Sequence, residues 1–235
     1  MKNFIKSLLK EKRSVSIAIA DQKVIKSFVD NPTNPFLVSF PRTGSHWLRM
    51  VMELYFKRPS LVRVFYYPKR KDYLTLHTHD MSLDVERQNV IYLYRTPVDT
   101  IYSQMSYEKD ELDDLNRIKY WSDLYGRHLQ KWLYAENFST HKTIIRYDRL
   151  RDAPTTEFAK ICTHFGQSLN AKRLTKAMSR VTKEKVKEKT PHDPSVITLG
   201  THYEDVRQMF HQKYTNLVWD TALAGREHLK DMFNV

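Results

Sequence analysis

The stretch PFLVSFPRTGSHWLRMVMELYF, residues 35–56, decides how the rest of the chain is arranged. Residues 36–40 (FLVSF) form a short apolar, partly β-branched run, the pattern of a buried strand. Gly44 breaks that run, and residues 46–56 are nearly apolar all round, as a buried helix is. A strand that turns sharply into a helix leaves backbone N–H groups without partners, at the positive end of the helix dipole. Such a turn attracts an anion, and Arg42, Thr43 and Ser45 bring a guanidinium and two hydroxyls to the same place. An ordinary βα turn with a polar corner fits the same spacing. The loop is not a Walker loop, which needs two glycines bracketing four residues and then Lys and Ser/Thr. With Gly44 alone it suits one tetrahedral group rather than a triphosphate.

A second strand-to-helix junction lies further on. Residues 89–94 (NVIYLY) are β-prone and almost wholly apolar, suited to a central strand, and end at Arg95-Thr96-Pro97-Val98-Asp99. Thr96 is placed to cap a helix, with Pro97 at its first position and Asp99 as the returning partner. That fixes Arg95 at the strand tip, with Ser103 about two turns into the helix. Between the two junctions, residues 73–78 (YLTLHT) alternate like a strand and deliver Thr78-His79-Asp80 at the tip. Loops at the carboxyl ends of parallel strands line the ligand crevice, so His79 is expected near the Arg42 loop. His77, two residues back on the same strand face, is its rival.

At these residues the chain resembles the sulfotransferase family. The family's first signature is a strand, an aromatic-Pro-Lys/Arg-Ser/Thr-Gly loop and a helix opening with Trp, and Phe40-Pro41-Arg42-Thr43-Gly44-Ser45-His46-Trp47 fits it. Two positions depart: Arg42 stands where cytosolic members usually carry Lys, and His46 where Thr or Asn is common. The second signature, an apolar strand, Arg, a polar residue, Pro, any residue, Asp, and Ser eight positions after the Arg, is matched by Arg95 and Ser103. The resemblance implies an α/β three-layer sandwich with a central parallel sheet, in the P-loop NTPase-like sulfotransferase fold. It implies the donor 3′-phosphoadenosine 5′-phosphosulfate and no metal. Arg42, Thr43, Gly44, Ser45, His46 and Trp47 would grip the 5′-phosphosulfate, and Arg95 and Ser103 the 3′-phosphate. Trp47 and Tyr147 would flank the adenine, His79 would act as general base, and Arg42 would stabilise the leaving phosphate during in-line transfer. The family's usual Arg-Lys-Gly segment near the C-terminus is absent, and Lys187 and Lys189 stand as substitutes.

Composition bounds the rest. A length of 235 residues with five glycines and no internal repeat suits a single domain. It reads as a lead-in at 1–33, a cofactor-binding core at 34–166, and a basic segment with C-terminal helices at 167–235. The single cysteine, Cys162, rules out an intramolecular disulfide and fits a reducing, cytoplasmic setting. No apolar run approaches the roughly 18 residues that span a bilayer, and the basic N-terminus is either a helix packed on the domain or a peripheral membrane contact.

A net charge of +12 points to anionic partners. From Lys172 to Lys189 there are eight Lys/Arg against two Glu, a pattern usual for a solvated helix face. The expected acceptor is a small molecule, a glycan or a lipid head group, met by loops at 60–72, 106–120 and 190–202, with no nucleic acid. Two other classes stay open: a P-loop-type nucleotide kinase, and a non-catalytic binder of nucleic acid or anionic membrane. Nothing in the sequence sets the oligomeric state.

Overall fold

The computed structural model describes residues 21–135, 139–191 and 201–233. The parts of the expected lead-in and acceptor loops at 1–20 and 192–200 lie outside them. In chain order the described elements are α1 (Gln22–Asp30), β1 (Phe36–Ser39), α2 (Ser45–Phe56), β2 (Leu76–Thr78), β3 (Asn89–Tyr94), α3 (Pro97–Glu108) and α4 (Leu115–Leu129). After a π-helical turn (Gln130–Tyr134) come β4 (His141–Arg146), α5 (Tyr147–Asp152), α6 (Pro154–His164), α7 (Ala171–Met178), α8 (Lys183–Lys189) and α9 (Thr201–Leu223).

The four strands form one sheet in the order β2-β1-β3-β4, with every pairing parallel. Alternation along the strands sorts the core into two layers. Phe36 and Val38 of β1 with Val90, Tyr92 and Tyr94 of β3 face α3, α4 and α9. Leu37, Ile91, Leu93 and Ile145 face α2, α6 and α7. The result is the three-layer sandwich, and each such fully buried Leu, Ile or Val contributes about 1.5–3 kcal/mol. Cys162 is wholly buried in the second layer.

Two expectations are corrected. The strand expected over 73–78 shrinks to Leu76–Thr78, because Leu74 and Thr75 are drawn instead to the backbone of Pro59 and Leu61. The separate terminal helices expected from the short runs VRQMF and NLVWDTALAG are one 23-residue helix, α9, because no breaker stands between them. α9 crosses α4 so closely that a Cβ on Gly126 would lie 2.1 Å from the Ala222 carbonyl oxygen. Only glycine permits that crossing, and it brings the first turns of α9 to the carboxyl end of the sheet.

The loop after α2 is held from below by two buried side chains of that helix. The Glu53 carboxylate accepts from the amides of Ser60, Phe65 and Tyr66. Arg49 donates to the carbonyls of Val62 and Arg63. Val62 and Arg63 sit at φ 60° and 56°, a left-handed conformation that costs a non-glycine residue roughly 1–2 kcal/mol. These five hydrogen bonds offset that cost and aim Arg63 toward the strand tips. The loop expected at 60–72 is therefore fixed as far as Tyr67, and residues 68–72 beyond it are exposed.

Candidate active site

All four strands end at one cleft of about 680 Å³. The loop after β1 supplies Arg42, Gly44, Ser45, His46 and Trp47, and β2 leads to His79. β3 leads to Arg95 and, through α3, to Ser103, while β4 leads to Tyr147.

The first loop is built as the anion argument requires. Arg42 at φ 67° and Gly44 at φ 93° are both left-handed. α2 begins directly after Gly44 without any side-chain cap, so its first-turn amides lack intrahelical acceptors. The Tyr147 ring lies so near Gly44 that a Cβ there would fall 2.4 Å from it. Thr43 departs from expectation. Its hydroxyl donates to the Phe40 carbonyl at 2.8 Å within the turn, fully buried, and its side chain does not line the cleft.

The two anion sites inferred from separate motifs are joined. Arg42 Nε donates to Ser103 Oγ at 3.2 Å, and its guanidinium lies 4.8 Å over the Tyr107 ring. Arg95 is clasped at its backbone by the buried Tyr125 hydroxyl, which accepts from the Arg95 amide and donates to the Arg95 carbonyl. Its guanidinium sits 5.1 Å from the Tyr147 ring centre and 3.6 Å from Asp99. Its buried Nε has no hydrogen-bond partner among the described residues. Asp99 also receives His211 and Arg207. Burial alone would raise the Asp99 pKa, but the bonds from His211, Arg207 and Thr96 and the Arg95 charge together drive it well below the usual carboxylate range. The expected cap is altered accordingly: the Thr96 hydroxyl donates to the Asp99 carboxylate at 2.8 Å and caps no backbone amide.

The two histidines are separated by geometry. His77 is partly buried, with Nε2 3.0 Å from Ser39 Oγ, and it does not line the cleft. His79 does line it. Its Nδ1 lies 2.7 Å from the Ser39 carbonyl. A carbonyl only accepts, so Nδ1 carries the proton and Nε2 keeps its lone pair. Burial, opposed by the Ser39 bond and aided by the charges of Arg49 and Arg63, lowers the His79 pKa. The His79 carbonyl is held in turn by His128 Nε2, while His128 Nδ1 faces the Tyr92 hydroxyl.

The aromatic pair is arranged differently from two parallel plates. Trp47 and Tyr147 meet edge to face at 5.9 Å and 79°, forming an L-shaped corner, with Trp47 pinned by its Nε1 bond to the Val181 carbonyl. Lys187 and Lys189 do not line the cleft. Lys187 is exposed on α8, and Lys189 donates to the Phe65 carbonyl. The basic groups that do line the far wall are Arg63, Arg151, Lys183 and Arg207, with Tyr203 and Glu204 beside them. Sequence reasoning named none of these as a site residue. Lys183 lies in the basic run at 172–189 and Arg63 in the loop expected at 60–72, whereas Arg151, Tyr203, Glu204 and Arg207 meet the cleft through tertiary packing. Among the described residues no group of three His, Cys, Asp or Glu side chains is arranged to hold a metal ion, and no helix is long and apolar enough to cross a membrane.

Comparisons with known proteins bear on the fold and the family. The chain superposes on mouse sulfotransferase SULT7A1, solved with PAP, at a TM-score of 0.54 and 15% identity, covering 82% of this chain and 89% of that one. It superposes on retinol dehydratase, solved with androsterone and the inactive cofactor PAP, at a TM-score of 0.54 and 12% identity, covering 84% of each. At such identities the likeness is one of fold. No curated protein matches the chain by sequence. The model of the sulfotransferase domain, however, matches residues 70–216, a stretch that runs from before His79 to the middle of α9. With well over half its length so matched, the chain belongs to the sulfotransferase domain family.

Proposed function

We propose that the protein transfers a sulfuryl group from 3′-phosphoadenosine 5′-phosphosulfate to an acceptor hydroxyl or amine. The observation that supports this most directly is the convergence of two anion sites and one correctly protonated histidine on a single cleft. The residues fit the donor. Uncapped amides of α2 with Arg42 suit its phosphosulfate end, Arg95 with its unpartnered Nε and Ser103 suit its 3′-phosphate, and the Trp47–Tyr147 corner suits its base. When bound, the donor supplies an activated sulfuryl group whose acceptance displaces a phosphate anion.

His79 Nε2 takes the acceptor's proton, because its Nδ1 is committed to Ser39 and its lowered pKa keeps the ring neutral at pH 7. Attack is in line, opposite the Arg42 loop. Arg42 and the first-turn amides of α2 hold the negative charge that builds on the leaving oxygen. Arg95 and Ser103 fix the far end of the donor, and Arg207 adds a third positive group beside them. The acceptor enters past Arg63, in the loop expected at 60–72, and Tyr107, which lies in the last turn of α3 within the stretch expected at 106–120. The fold neighbour retinol dehydratase is solved with androsterone, an example of a small hydroxylated ligand on this fold.

Calorimetric titration with 3′,5′-adenosine bisphosphate, the expected product, tests the reading. Metal-free micromolar binding is expected, weakened by roughly a hundredfold in Arg95→Ala, the usual cost of removing one partner of a partly buried charge contact. Tighter binding of Mg-ATP than of the bisphosphate would sink the assignment and favour a nucleotide kinase.

A further inference from the structure

A second cavity of about 430 Å³ lies away from the strand tips. Its walls are Leu54 and Lys57 at the end of α2, Tyr67 from the loop that follows, and Lys172, Arg173, Lys176, Ala177 and Arg180 on and just after α7. Five of the eight are cations and none is an acid. Lys57, Lys172, Lys176 and Arg180 are exposed, and none forms an ion pair among the described residues. Arg173 is partly buried against the Tyr55 ring at 4.9 Å, and its buried Nε has no hydrogen-bond partner among the described residues. Like charges are gathered here without an ion-pairing acid among the described residues, which costs stability unless a ligand supplies the opposite charge.

Lys172 and Lys176, one turn apart on α7, stand about 6 Å from each other on one face, and Arg180 follows two residues past the end of that helix along the same cavity. Three residues beyond Arg180, Lys183 lines the main cleft. The opposite wall makes the same passage: Tyr67 stands in the groove, and Arg63, from the stapled part of the same loop, stands in the cleft. Along α2 the groove lies roughly 14–18 Å from the Arg42 loop, about the reach of a few sugar units.

We propose that this groove is a binding site for a linear polyanion of the acidic-polysaccharide class. The further statement that this polymer is the acceptor, held in the groove while one of its units reaches the cleft, rests on the sulfotransfer reading. Each transfer leaves a sulfate ester on such a polymer, so the chain that has been modified binds a basic groove better than the chain before it. The groove's composition disfavours two other polyanions. Tyr67 is its single aromatic residue, whereas single-stranded nucleic acid is held by several stacking rings. None of the exposed large apolar residues lies in it, so it offers a bilayer nothing to insert.

The test is fluorescence anisotropy of a labelled heparin octasaccharide with the full chain, measured across a salt series. The double variant Lys172→Ala/Lys176→Ala should bind it roughly tenfold more weakly, with a salt dependence shallower by about two charges. Its affinity for 3′,5′-adenosine bisphosphate should not change. Arg95→Ala should show the reverse, with weakened nucleotide binding and an unaltered octasaccharide curve. Octasaccharide affinity equal to wild type in the double variant overturns the proposal. So does tighter binding of an oligothymidylate of equal charge, or of phosphatidylserine vesicles, that the same double variant abolishes. If the bisphosphate fails to bind wild type while the octasaccharide result holds, the sulfotransfer reading falls and the groove stands.

Discussion

The cleft has two walls of different make. On the strand-tip wall each group is fixed through the backbone or a buried bond. His79 is held by Ser39 and His128, the Arg95 peptide is clasped by Tyr125, and Arg42 is turned by a left-handed loop. On the helix wall, Lys183, Glu204 and Arg207 project from α8 and α9 and are held by other side chains or by none: Arg207 pairs with Asp99 and Glu204. The first construction ties position to the backbone, which proton transfer and charge stabilisation require. The second supplies charge with adjustable geometry. One wall is suited to chemistry, the other to affinity.

Substitutions separate the two. His79→Ala should lower kcat by about 10²- to 10⁴-fold while the bisphosphate affinity stays within about twofold of wild type. An equal loss in kcat and in nucleotide binding would mean that His79 organises the cleft rather than serving as base. Acid should act next most strongly, through two buried histidines, His128 beneath the strand-tip wall and His164 against β4. His128 is buried and neutral, its pKa pushed down to about 3 by desolvation, and that of His164 to about 4. Both titrate near 6.5 once unfolded, so the unfolded chain takes up protons first as the pH falls. Their contribution is complete above pH 6.5 and declines below it, by roughly 1.4 kcal/mol per pH unit for His128 alone. Urea midpoints measured from pH 7 to pH 4 check this, and His128→Gln should flatten the slope.

Effects on the helix wall should be smaller. Arg207→Ala should weaken bisphosphate binding by about three- to tenfold with kcat nearly unchanged, since its head is partly exposed and shared with two carboxylates. Lys187→Ala, outside the cleft, should leave the titration as it was. A larger effect from Lys187 than from Arg207 would reverse the assignment of the third positive group. The smallest expected change is in the acid limb of kcat/KM. Arg63 helps to lower the His79 pKa, so Arg63→Ala should shift that limb to higher pH by a few tenths of a unit.

The same division explains what could be read in advance. Arg42, Gly44, His79, Arg95 and Ser103 follow strands whose apolar runs announce themselves, so a few residues of local pattern place them at one end of a parallel sheet. Thr43 carried the right chemistry, but its hydroxyl is taken by the Phe40 carbonyl, a turn contact that spacing does not reveal. Arg207 reaches the cleft because Gly126 lets α9 lie against α4, a fact about two helices nearly a hundred residues apart. Lys187 and Lys189 were favoured over Lys183 by motif alone, whereas the turn of α8 decides which of them faces inward. His128 is wholly buried among apolar neighbours, and only the structure shows what it holds.

The contact between Arg42 and Ser103 has a thermodynamic consequence. On the proposed reading that side chain serves both ends of the donor, so a ligand that draws it toward the phosphosulfate withdraws a donor from Ser103's end, and the reverse holds equally. By linkage, whatever factor a 3′-phosphate imposes on affinity at the first site must be returned in full at the second. Adenosine 5′-phosphate and the 3′,5′-bisphosphate should therefore differ in affinity by something other than the worth of one added phosphate, and Ser103→Ala should bring that difference closer to simple addition.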